Sequence, residues 1–285
     1  MLRSRLGKLG AGFVILLAAW LVMAQSCMKF RISDADAIRN FAANGIKLET
    51  NTLTVNHHSL HYVKTGVDSL PTIFFVHGSP GSWDAFASYM QDSELLKKYR
   101  MVSVDRPGFG YSDFGDALPL EQQSNVISPL FQLLHNGKPL YLVGHSLGGP
   151  MIVQLAADNP GMVDALVILA GSIDPSEETP ERWRTLLLNS PLKYFVPGAM
   201  RPSNRELWYL KKDLALLKPR FAEIRSRVYI LHGNKDQLVP YGNLKFGAKV
   251  FVNAAKLDTL TIPGANHFIP WTHYREIKKV LMQLY

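Results

Sequence analysis

The sequence predicts an α/β protein with a mainly parallel, doubly wound sheet, helices on both faces and a small helical cap. Three observations carry this. Short apolar runs rich in Val, Ile, Leu, Phe and Tyr recur at 59–64, 71–76, 100–104, 139–143, 164–170 and 227–231. Runs of that length read as strands buried on both faces. Helical stretches such as Leu120 to His135 and Gly148 to Asp158 lie between them, and this alternation implies βαβ units with right-handed crossovers. The second observation is the passage 140–151, in which an apolar run breaks into Gly144-His145-Ser146-Leu147-Gly148 and then into a helix closed by Asn159-Pro160-Gly161. The third is an interval without strand-like runs from Ile173 to about Arg225. Trp183 to Leu188, Leu192 to Phe195 and Leu207 to Leu217 there suggest short helices, punctuated by Pro191, Pro197, Pro202 and Pro219.

A chain of 285 residues, 47% hydrophobic, can bury one large core, so one domain with an insertion is expected. Of the cations behind the net charge of +8, Arg3, Arg5 and Lys8 belong to the N-terminal tail. The remaining excess is mild, and no basic block interleaved with aromatics appears, so a nucleic-acid partner is not expected.

The N-terminus has the layout of an export or anchoring signal. A basic, acid-free start leads into the apolar run Ala11 to Ala24, shorter than a spanning helix prefers, and then to the small residues Ala24 and Ser26. The chain's one cysteine follows at Cys27. Ala24-Gln25-Ser26-Cys27 resembles the box at which bacterial lipoproteins are cleaved and lipidated, although leucine is usual where Ala24 stands. Lipidation at Cys27, an uncleaved N-terminal anchor and plain secretion all remain open at this point. The basic flank places the body outside the membrane. A lone cysteine provides no internal disulfide.

Residues 28–56 are weakly patterned and read as a linker holding a short helix near Asp34 to Ala43. The divisions expected are a targeting segment over 1–27, this linker, a core over 57–172 and 226–285, and a helical cap over 173–225.

The pentapeptide around Ser146 is the sequence of a serine held on a tight strand-to-helix turn. Side chains two positions either side would collide, which is why glycine stands at 144 and 148. A serine hydroxyl is a weak nucleophile and needs a base, itself oriented by a third group. The strand-like run Val228 to Leu231 leads to a loop carrying Asp236, and the final run Leu257 to Ile262 leads to a glycine-containing loop carrying His267. Asp174, after the strand that follows the serine, is the competing acid. The remaining histidines show no metal-ligand spacing, so neither metal nor other cofactor is expected.

Two further segments complete a resemblance. The serine turn, the Asp236 loop and the His267 loop are joined by His77-Gly78-Ser79-Pro80-Gly81 and by Asp105-Arg106-Pro107-Gly108-Phe109-Gly110-Tyr111-Ser112. In this order, from about residue 59 to the C-terminus, the chain resembles the α/β-hydrolase superfamily, and within it the cap-bearing serine esterases. The resemblance implies a Ser146–His267–Asp236 triad acting on a small acyl substrate through an acyl-enzyme. It also implies an oxyanion hole from the backbone N–H groups of Leu147 and Ser79. Serine at 146 argues against the superfamily's dehalogenases and epoxide hydrolases, which carry aspartate there. The 77–81 segment resembles that of proline iminopeptidases, and carbon–carbon bond hydrolysis uses the same triad. A tethered binding module that keeps the fold without turnover is the alternative of another class. Trp183, Leu187, Tyr194, Phe195, Trp208 and Leu210 of the cap, with Trp83 and Phe268, either line an apolar pocket or form the cap's own core.

Overall fold

A computed structural model describes residues 2–115 and 117–284; the side chains of residues 2–7, including Arg3 and Arg5 of the basic start, lie outside the description. Eight strands form one sheet in the order β1-β2-β4-β3-β5-β6-β7-β8. Its members are β1 (Glu49–Val55), β2 (His58–Thr65), β3 (Thr72–Val76), β4 (Arg100–Val104), β5 (Leu140–His145), β6 (Ala165–Leu169), β7 (Arg227–Gly233) and β8 (Lys256–Ile262). β1 with β2, and β2 with β4, are antiparallel, and all other pairs are parallel.

Alternate residues of each central strand serve opposite cores. Phe74, Val76, Leu142, Leu166, Ile168 and Ile230 face one side, where they meet the helices Leu120–Leu134 and Gly148–Asp158. Ile73, Phe75, Tyr141, Val143, Val167 and Leu231 face the other, where Phe41, Trp83, Phe86, Ile277 and Leu281 cover them. Period-two side-chain direction on a doubly covered sheet therefore explains why β3, β4 and β6 are buried at every position and why residues 73–76 and 165–169 are apolar without a break.

We number the helices of eight or more residues, with one short cap helix, in chain order: α1 (Leu2–Ser26), α2 (Asp34–Ala42), α3 (Leu120–Leu134), α4 (Gly148–Asp158), α5 (Arg184–Leu188), α6 (Met200–Leu217), α7 (Gly242–Val250) and α8 (Tyr274–Leu281). Two differ from the sequence expectation. α1 is one continuous helix, and the run Lys8–Ser26 within it is long and apolar enough to cross a membrane. α6 begins at Met200, about two turns earlier than the periodicity from Leu207 suggested. Pro202 sits in its first turn, where a missing N–H breaks no helical hydrogen bond.

The interval 28–56 is more than a linker, and this corrects the sequence reading. α2 is there, capped by the Ser33 side chain accepting from the Asp36 N–H, and it buries Ala37 and Phe41 against the sheet. β1 is there too, as an edge strand paired residue by residue with β2. Its Glu-Thr-Asn-Thr-Leu-Thr-Val sequence lacks an apolar run because an edge strand needs only a half-buried face.

Candidate active site

The loops after β3, β5, β7 and β8 converge at the carboxyl edge of the parallel strands, the position expected of a ligand crevice in an open α/β sheet. At the centre is Ser146, between β5 and α4, with φ +55°. A left-handed backbone at a non-glycine residue costs about 1–2 kcal/mol. The surroundings enforce it: the Ser146 N–H donates to the Leu169 carbonyl at 2.9 Å, and its own carbonyl accepts from Gly149 at 2.9 Å. A methyl group on Gly144 would stand 2.1 Å from the Gly148 carbonyl oxygen, and one on Gly148 would stand 2.2 Å from that of Val76. Glycine is therefore required at both.

His267 Nδ1 lies 2.8 Å from Asp236 Oδ2. The other Asp236 oxygen accepts the Leu238 and Val239 N–H groups, each at 2.9 Å, and His232 Nε2 stands 3.3 Å from Oδ2. Burial raises the carboxyl's pKa, but the hydrogen bonds from His232, His267 and Val239 outweigh it and hold the group well below the usual carboxylate range. Asp236 is thus an anion oriented on the imidazole. Asp174, the competing acid, instead accepts from the N–H and hydroxyl of Ser176 in its own turn.

Ser146, Leu147, Ser79 and His267 line one cavity of about 1200 Å³. The Gly78–Ser79 loop packs against the serine so closely that a methyl on Gly78 would stand 2.9 Å from the Ser146 Cβ. Ser79 also donates its hydroxyl to Ser203 of α6 at 2.9 Å. The loop is held from behind by a buried network. His77 Nδ1–H donates to the Gly78 carbonyl at 2.7 Å, while its Nε2 accepts the Arg106 N–H at 3.0 Å. Burial and the neighbouring Arg106 charge push the His77 pKa well down, consistent with this neutral tautomer. The Arg106 guanidinium donates to the carbonyls of His77 and Gly78 and forms a bidentate pair with Glu206 of α6.

Several participants escaped the sequence reading. His145, outside the triad that the resemblance implies, lines the cavity and places Nε2 3.0 Å from the His267 carbonyl. Burial and the His267 charge hold its pKa down to about 3, so it is neutral and donates. Glu206 carried one signal: it occupies the same helical stripe as Leu210, Leu214 and Leu217, a carboxylate on an apolar face. Phe30, Arg31, Ile32 and Ser33 also line the cavity, brought there because Arg31 stacks 4.0 Å over the Tyr111 ring. Of the aromatics and leucines expected at the pocket, Leu210 and Phe268 line it; Trp83 is buried in the core, and Trp183, Tyr194 and Phe195 are exposed on the outside of the cap. Trp271, Leu207 and Leu238 take their place. Cys27 is exposed. Among the described residues no cluster of His, Cys, Asp and Glu is arranged to hold a metal ion.

The strand order, the strained serine turn and the converging loops agree with a family match over residues 71–194 to the α/β-hydrolase fold. The chain has the α/β-hydrolase fold. It is similar to epoxide hydrolase 1 of Caenorhabditis elegans, 34% identical over 111 residues, a match spanning 38% of this chain and 27% of that protein. It is also similar, at 22% identity over 263 residues, to the 2-hydroxy-6-oxononadienedioate/2-hydroxy-6-oxononatrienedioate hydrolase of Burkholderia vietnamiensis, covering 79% of this chain and 90% of that one. Among solved structures, a bacterial membrane phospholipase A superposes with a TM-score of 0.59 at 16% identity, covering 97% of this chain and 99% of its counterpart.

Proposed function

We propose that this chain cleaves ester-like acyl bonds through a covalent serine intermediate. The observation that carries the reading is His267, paired with the buried Asp236 side chain, lining the same cavity as a serine on a strained, glycine-flanked turn. With Nδ1 committed to Asp236, the His267 imidazole has Nε2 left to take the Ser146 proton. The serine oxygen then attacks the acyl carbon, and the carbonyl oxygen gains the charge. Backbone N–H groups of Leu147 and Ser79 are assigned to receive that charge, each worth roughly 3–4 kcal/mol of barrier when judged by removal. His267 returns the proton to the leaving alcohol, and water repeats the sequence to release the acid.

Serine at 146 sets the chemistry apart from that named for the Caenorhabditis relative, since a hydroxyl activated by histidine suits an acyl carbon. The dicarboxylate in the Burkholderia relative's name would meet Asp36, Glu177 and Glu181 on the cavity wall, against Arg31 and Arg184. An uncharged acyl group fits this wall better. The same carboxylates favour one second reading, an aminopeptidase whose substrate amine they would pair. The body lies outside the membrane that α1 enters, as the basic start of the chain predicts.

Labelling by a fluorophosphonate tests the first reading. The wild-type chain should react, and Ser146→Ala should not; a folded, unlabelled wild type would favour a binding module. Turnover of prolyl amides with no turnover of nitrophenyl esters would favour the aminopeptidase.

A further inference from the structure

The last two turns of α1 are built into the cap. The Trp20 indole donates to the Phe195 carbonyl at 2.9 Å, and the Gln25 amide donates to the carbonyls of Tyr194 and Val196 at 2.8 and 2.9 Å. The Arg201 guanidinium donates to the Gln25 side-chain oxygen at 3.1 Å, and the Gly198 N–H to the Ala24 carbonyl at 2.8 Å. Ala24, two residues before the end of a helix that is mostly exposed among the residues whose side chains are described, is fully buried. The helix also runs through the bond before Cys27, whose N–H donates to Met23. Cleavage there would strip every one of these hydrogen bonds from the cap.

From these contacts we propose that α1 stays on the mature chain as a membrane anchor, and that its end and the outer face of the cap together form a rim seated on the bilayer. Acyl-ester lipids would reach Ser146 across that rim. This deepens the serine-hydrolase reading and rests on it.

Length fixes the depth of the rim. From Lys8 to Trp20 the helix rises only about 18 Å, against roughly 30 Å for a hydrocarbon layer. The whole apolar run of α1 from Lys8 to Ser26 rises about 27 Å, so the layer's boundary falls at the cap-packed end of the helix. Leu186, Leu192, Tyr194 and Phe195 are exposed on that face, Leu192 by 50% and Phe195 by 39%. Bare apolar side chains at that depth are covered by lipid. Charge agrees: from residue 182 to residue 205 the chain carries Arg182, Arg184, Lys193, Arg201 and Arg205 and no carboxylate, which suits an anionic headgroup layer.

The rim is continuous with the cavity. Phe30, which lines it, is four residues beyond the end of α1 at Ser26, a stretch that can reach at most about 14 Å. On the cap side Glu181 and Arg184 line the cavity, and α5 continues from Arg184 toward the exposed Leu186.

The full chain, reconstituted in vesicles of phosphatidylcholine and phosphatidylglycerol containing diacylglycerol, is the material for the test. Fatty-acid release from the vesicles is compared with hydrolysis of soluble nitrophenyl butyrate, for the wild type and for Leu192→Asp combined with Phe195→Asp. The double variant should release fatty acid about tenfold more slowly, with soluble-ester turnover unchanged. Intact mass of the membrane-extracted wild type should show residues before Cys27 retained. A double variant active on both substrates at wild-type rates, or a mature chain starting at Cys27, overturns the inference. A wild type that is labelled by fluorophosphonate and hydrolyses the soluble ester, but releases no fatty acid, overturns it too while leaving the serine-hydrolase reading intact. Absence of both labelling and soluble turnover instead sinks the serine-hydrolase reading.

Discussion

Glu206 of the cap grips Arg106 of the core through two hydrogen bonds of 2.7 and 2.9 Å, with both side chains buried. The same guanidinium holds the carbonyls of His77 and Gly78, immediately before Ser79. Cap position and the loop proposed to bind the oxyanion are thereby fixed by one group. Removing a partner of a buried pair leaves an uncompensated charge, at a cost of about 3–5 kcal/mol. Glu206→Ala should accordingly lower the denaturation midpoint strongly and reduce kcat on esters, and Glu206→Gln, which keeps one acceptor, should be milder on both. Equal effects of the two would show that the charge is irrelevant.

At Ser79 the side chain and the backbone have separable duties. Ser79→Ala loses only the hydrogen bond to Ser203 and should cost about 1 kcal/mol of stability with kcat near wild type. Ser79→Pro removes the N–H and should depress kcat by a hundredfold or so in a folded protein. Circular dichroism alongside kinetics separates the two effects, and an active Ser79→Pro would reassign the oxyanion donor.

The Asp236 carboxylate is held as an anion against His267, so Asp236→Asn should drop kcat by about ten-thousandfold while preserving the fold. Fluorophosphonate labelling should slow in parallel. A small loss would point to another acid, Asp174 being the one to substitute next.

His61 gives stability a pH dependence. Burial pulls its pKa down, but the hydrogen bond and charge of Asp105 at 2.8 Å, with Asp34 3.2 Å from Nε2, raise it overall above the ordinary 6.5. A raised folded-state pKa means the stabilisation is fully present below the unfolded value and is lost as pH rises through the folded one. The stability advantage of wild type over His61→Gln should shrink on going from about pH 6 into the alkaline range. Denaturant midpoints read it, and an advantage that grows with pH would contradict the assignment.

The central strands were legible because they are buried on both faces and are therefore written mostly in apolar residues, without a break in residues 73–76 of β3 and throughout β6. That Asp236 and His267 meet was legible for a related reason: loops following parallel strands all open on the same edge. β1 was not, since a half-exposed edge strand is written in Thr and Asn. Nor were the partners of Trp20, Gln25 and Arg106, because hydrogen bonds to carbonyls more than a hundred residues away, or to a lone carboxylate on a helix stripe, leave no local pattern. The place of His145 on the cavity wall was not legible for a different reason. Its neighbour Ser146 turns back on itself, so two successive side chains reach the same cavity.

The Arg31 side chain stacked on Tyr111, and the Met28 carbonyl accepting from Ala199, pin the stretch between α1 and α2 at two points. A tether of a few free residues would let the body swivel, and each productive encounter with a surface would have to be found by rotation. Pinned, the body has one bearing relative to the helix axis, and the orientational entropy of meeting a planar substrate layer is settled during folding and not at each turnover.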